Sequence, residues 1–153
     1  MGAKSLARPA TSLYDEDFVI WTAETARLLR DGQFGQVDVE HVAEEIEDMG
    51  KSYQRELESR LTVLILHLLK WRCQPGKRTG GWKSTMIGQR AELVRLFRQA
   101  PSLRRAVTGA VASVYSTAAK QAAAQTRLPK QVFPRECPFS TDEILDEDFL
   151  PQP

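Results

Sequence analysis

Apolar residues recur along this 153-residue chain at helical spacing, and no stretch alternates long enough to read as a strand. Phe18, Trp21, Thr25, Leu28 and Leu29 fall on one face of a first helix. Ser12 or Asp15 is its expected cap, and Asp31-Gly32 its end. The turn Gly32-Gln33-Phe34-Gly35 leads into a second helix with a stronger start signal. Asp38 is placed to cap it, and Val37 and Val42 have the spacing of a hydrophobic staple. Its stripe runs through Val42, Ile46, Met49, Tyr53, Leu57, Leu61, Leu64, Leu68 and Trp71, and no proline intervenes before Pro75. A straight helix of that length would measure about 50 Å at ~1.5 Å per residue, against a radius of gyration of about 15 Å for a compact domain this size. A bend or break near Gly50 reconciles the two, and the sequence predicts one there.

Residues 74–81, rich in glycine and positive charge, predict a loop. A third helix follows over about 82–99, with Met86, Leu93, Leu96 and Phe97 inward. After the Pro101-Ser102 turn, a fourth runs over about 103–126 through Val107, Ala110, Val111, Val114, Tyr115, Ala118 and Ala122. Its alanines favour helix and permit a neighbour to approach closely. Pro134 and Pro138 make the tail irregular, but a short helix over about 141–145 is expected, capped by Ser140 or Thr141. The predicted fold is all-α: a single-domain helical bundle of four main helices plus a short C-terminal helix. Residues 1–13 form a flexible lead-in and 14–151 the domain. DEDF occurs at residues 15–18 and 146–149. Each copy is expected to dock its phenylalanine on the core and leave its acids in water.

Composition, 42% hydrophobic and 27% charged, is that of an ordinary soluble domain and selects no function class. The distribution of charge says more. Residues 1–50 hold 4 basic and 11 acidic side chains, residues 51–105 hold 13 and 3, and residues 106–153 hold 4 and 6. Such opposed segments attract each other within one fold or offer a basic face to a partner. The two cysteines, Cys73 and Cys137, form no CxxC pattern and fit a reducing cytoplasm. No secretion signal opens the sequence, and the longest apolar run, residues 61–69, falls well short of the ~20 residues a membrane span needs. We therefore expect a cytoplasmic location and no membrane partner.

Three groups of residues could carry chemistry. Within "RLTVLILHLLKWR", residues 60–72, Arg60 and His67 fall at or beside the core stripe, and Glu56 lies one turn before Arg60. Glu56, Arg60 and His67 thus form a candidate polar core network. It reads either as a satisfied structural network or as a polar pocket with His67 as proton carrier or ligand. His41, Glu44, Glu45 and Asp48 share one helix side as a candidate acidic cluster. Carboxylates and imidazole together suit a divalent metal, but the His-x-x-Glu order occurs once and lacks a second pair, so no metal or other cofactor is assigned. The acids otherwise suit the start of a helix. Lys70, Arg72, Lys77, Arg78, Lys83 and Arg90, interleaved with Trp71 and Trp82, make a candidate basic patch. That pattern could grip phosphates and stack bases, but there is no phosphate loop. No nucleophile motif is present, and no catalytic residue is assigned.

With "EEIEDMG", "ESRL", "HLLKW", "PSLR" and the closing "CP…ILDEDFLP" in order, the chain resembles a bacterial family catalogued as domain of unknown function twenty-nine. The resemblance spans roughly residues 14–151. It implies a small helical protein and brings no catalytic residues with it. A serine often precedes the family's tryptophan where this chain has Gly81-Trp82. The reading that follows is a non-enzymatic protein–protein interaction module, with a homodimer as one form of it, because the long second helix carries more apolar stripe than its neighbours can cover. The alternatives are a nucleic-acid-associated factor using residues 70–98 and a metal-dependent enzyme with a core His/carboxylate site.

Overall fold

Asp17 interrupts what the sequence presents as one N-terminal helix. Its side chain accepts a hydrogen bond from the Ile20 amide at 3.0 Å, which ends α1 (Ala10–Glu16) and starts α2 (Phe18–Arg30). Asp15 and Ser12, the expected caps, lie inside α1 instead. The computed structural model describes residues 10–153. The expected lead-in over 1–13 lies outside them as far as residue 9, and from Ala10 onward the chain is helical. Gly32 closes α2 at φ 71°, a left-handed conformation that glycine adopts without strain.

Asp38 then caps α3 (Val39–Cys73), its carboxylate accepting from the His41 amide at 3.3 Å. The 35 residues of α3 form one uninterrupted helix, about 52 Å long at ~1.5 Å per residue. The break expected at Gly50 does not occur. A single helical glycine costs only about 1 kcal/mol relative to alanine, and the flanking turns outweigh it. Thr79 caps α4 (Gly80–Gln99), accepting from the Trp82 amide at 3.2 Å, so this helix starts two residues before the predicted 82. α5 (Leu103–Thr126) matches its predicted span, and α6 (Thr141–Leu145) starts on a reciprocal Ser140–Glu143 capping box. The fold is all-α, with no strand among the described residues.

Contacts divide the chain into two compact units, the first ending at Lys51 and the second comprising Ser52–Pro153, a division absent from the expectation of one domain. The second unit holds the core. Leu57, Leu61, Leu64 and Leu68 of α3 are fully buried against Met86 and Leu93 of α4 and against Val107 and Ala118 of α5. Between Leu64 and Lys70 burial spreads around almost the whole circumference of α3, making it the central helix of this unit. Phe139 and Ile144 close the core from the C-terminal segment, and Phe149 meets Phe139 edge-on at 6.0 Å. The first unit buries far less: only Trp21, Thr25 and Leu28 are sealed among its described side chains. Phe18, expected on the core, stands 46% exposed in the first turn of α2, stacked on Trp21 at 5.6 Å.

Candidate functional site

The candidate core network lies along one seam of the second unit. Arg60 reaches Glu56 at 3.3 Å and Glu92 of α4 at 3.5 Å. Arg95 joins them, 2.6 Å from Glu92 and 3.8 Å from Glu56. All four side chains stay partly in water, which makes this a surface-edge network worth about 1 kcal/mol or less per pair. His67 is not bonded to it. Its Nδ1–H donates to the Val63 carbonyl at 2.8 Å, and burial lowers its pKa.

The acidic cluster separates along its helix. Asp38, capping with one carboxylate oxygen, holds the Nδ1 of His41 with the other at 2.6 Å. That hydrogen bond raises the His41 pKa and lowers that of Asp38. The Tyr14 hydroxyl donates to Glu45 at 2.6 Å, a bond that pushes the phenol up to about 12. The Tyr14 ring stacks on His41 at 3.9 Å and meets Trp21 edge-on at 4.9 Å. Glu44 and Asp48 remain exposed. These contacts fasten α1 and α2 to the start of α3. No three His, Cys, Asp or Glu side chains among the described residues gather where they could hold a metal ion.

The basic patch is corrected at two positions. Arg90 is only 3% exposed. Its guanidinium donates to the carbonyls of Ile144 at 2.9 Å and of Glu143 and Glu147 at 3.4 Å each, satisfying the free C-terminal end of α6. Its spacing carried that signal, since it lies four residues after Met86 and three before Leu93 on the inward stripe. Lys70 is 8% exposed, donating to Gln125 at 2.9 Å with its ammonium 4.3 Å over the Trp82 ring. Burial lowers the pKa of both cations. Arg78 donates to the Trp71 carbonyl at 2.9 Å and stacks on that ring. Three of the six cations therefore serve the fold, Arg72 is half-buried, and Lys77 and Lys83 are left exposed. Phosphate binding needs cations free to exchange counterions, and in this segment Lys77, Lys83 and Arg98 are the exposed ones outside the ion pairs described.

Both cysteines are free, and burial pushes their thiols up, away from nucleophilic thiolate. No helix among the described residues is long and apolar enough to cross a membrane.

The sequence reading missed where apolar surface stays uncovered. Of the twelve large apolar side chains that stand exposed among the described residues, eight lie between Phe18 and Met49. On α3, Val39, Ile46 and Met49 are 67%, 63% and 65% exposed, spaced i, i+7 and i+10 on one side of the helix. Glu40, Glu44, Glu47 and Asp48 fall towards the opposite side of the helix. The stripe was legible as pattern, but exposure depends on what covers it, which periodicity does not encode.

Neither a curated protein nor a solved structure matches the chain significantly. One family model does, described as Domain of unknown function DUF29, and it covers residues 13–150. The separate motifs along the chain and this near-complete match agree: the chain belongs to the DUF29 family.

Proposed function

We propose that this protein is a non-enzymatic, cytoplasmic protein–protein interaction module that docks through its N-terminal unit and associates with a second copy of itself. The observation that carries this reading is the apolar face of Val39, Ile46 and Met49, with Phe18, Val19 and Ile20 exposed on α2 of the same unit. Concentrated exposed apolar surface marks a site of association rather than an idle surface. Burying a side chain of the size of Ile46 or Met49 contributes roughly 1.5–3 kcal/mol, so a few such anchors outweigh the cost of ordering two chains only when they act together.

Hydroxyl-radical footprinting of the full chain across a concentration series tests the reading. Oxidation of Met49 is expected to fall as concentration rises, while the exposed Val132 of the second unit keeps its reactivity. Equal labelling of Met49 at every concentration would contradict association through this face.

A further inference from the structure

We propose that the cleft between α5 and residues 130–135 binds a small phosphate monoester, its head among Lys120, Lys130 and Arg135 and its apolar body against Phe133. The site lies wholly within the second unit and does not depend on how the chain associates. Those three cations line a cleft of about 220 Å³, and no acid does. The surrounding sequence makes the grouping conspicuous. Residues 106–153 hold only 4 basic side chains against 6 acidic, and three of the four gather here. All three are exposed, and none takes part in an ion pair among the described residues. Like charges held around low-dielectric walls focus their field on the space between them and concentrate anions there.

The walls are apolar and fixed. Phe133 and Tyr115 are 6% and 5% exposed, and Ala119 and Pro134 complete the apolar lining. The Tyr115 hydroxyl donates to the Pro134 carbonyl at 2.8 Å, which pins the segment to α5, so the cleft is formed before anything enters it. The Arg135 guanidinium offers a phosphate its fork of donors, the two ammonium groups add point charge, and the exposed Ser116 hydroxyl is a further donor. Charge selects phosphate over carboxylate. A monoester carries about −1.5 to −2 at neutral pH and matches three cations better than a single negative charge does. A second cleft, of about 490 Å³, shares Tyr115, Ser116 and Arg135 with the first and carries one acid, Glu136. It gives room for the ligand's body, while Glu136 keeps the anionic head out. Together the two clefts reach the size of ordinary small-molecule sites.

Phenyl phosphate titrated into the isotope-labelled full chain, with amide resonances as the readout, tests the proposal. Saturable shifts are expected at Ala119, Lys120, Lys130 and Phe133. Benzyl alcohol keeps a ring and lacks the charge, and inorganic phosphate keeps the charge and lacks the ring. Each should bind about tenfold or more weakly than the ester. Lys130→Glu with Arg135→Glu should weaken phenyl phosphate by about tenfold or more. Both positions are exposed, so the circular dichroism spectrum should be kept. Arg98→Glu with Arg104→Glu, in a different cleft, should leave the affinity unchanged. Shifts confined to other residues, binding indifferent to the Lys130 and Arg135 reversals, or inorganic phosphate binding as tightly as the ester would overturn the site. So would the absence of saturable shifts up to about 10 mM.

Discussion

His41 and His67 lie on the same helix and titrate in opposite directions for different reasons. The hydrogen bond that His41 donates to Asp38 raises His41 above the ordinary value of 6.5, so the stabilisation it gives is fully present below that value and fades as pH rises through the folded pKa. Burial lowers His67 below 6.5, so its contribution is present above that value and fades as pH falls through the folded pKa. Acidification from neutrality therefore tightens the Tyr14–His41–Asp38 cluster and loosens the second unit around His67. Imidazole proton resonances followed against pH should show one midpoint on each side of 6.5; two midpoints on the same side would refute the assignment. The two conspicuous arginines differ too. Arg90→Ala strips two carbonyls of α6 and that of Glu147 beyond it of their donor and should lower stability by roughly 2–3 kcal/mol in a denaturant titration, whereas Arg60→Ala should lower it by about 1 kcal/mol or less. The sequence singled out Arg60 for its place on the core stripe but grouped Arg90 with the basic patch, because its charge is more conspicuous than its spacing. Arg90 sits in the 86, 90, 93, 97 stripe, where geometry had already placed it inside.

At the scale of elements, legibility followed the strength of local signals. α5 and α6 were readable because Pro101-Ser102 and the Ser140–Glu143 box fix their starts. The split between α1 and α2 was not, because Asp15, Asp17 and Ser12 are all competent caps, and only the Ile20 amide distinguishes among them. Of the bend or break expected at Gly50, the break is absent, because one glycine costs too little to interrupt a helix this long. Apart from its own helical backbone, no atom of the described residues lies within 4 Å of where a Cβ at Gly50 would stand, and the helix is continuous through it. Gly50→Ala should accordingly raise stability by about 0.5–1 kcal/mol, through the lost freedom of the unfolded chain. A loss of stability on thermal melting would show that the helix needs to break there. In α5 the fully buried Ala118 keeps its neighbours close, and Ala118→Leu should cost about 1–3 kcal/mol through overpacking.

For the molecule as a whole, the uneven distribution of burial matters most. Leu57, Leu61, Leu64 and Leu68 are sealed on the second half of α3, while Val39, Ile46 and Met49 on its first half are largely exposed. Amide exchange in the isolated chain at low concentration should be fastest across α2 and the first turns of α3 and slowest around residues 61–69. The sequence announced both halves of the stripe, and its long second helix prompted the interaction reading. It did not announce which half would be covered, because cover comes from α4 and α5, distant in sequence. Sedimentation equilibrium of the wild-type chain beside Ile46→Glu, from about 1 µM to about 1 mM, tests the central claim most directly. The account predicts a wild-type mass rising from the 17.2 kDa of one chain towards twice that, and a variant that stays at one. A wild type holding the mass of one chain across the range, or a variant that dimerises equally well, would contradict it.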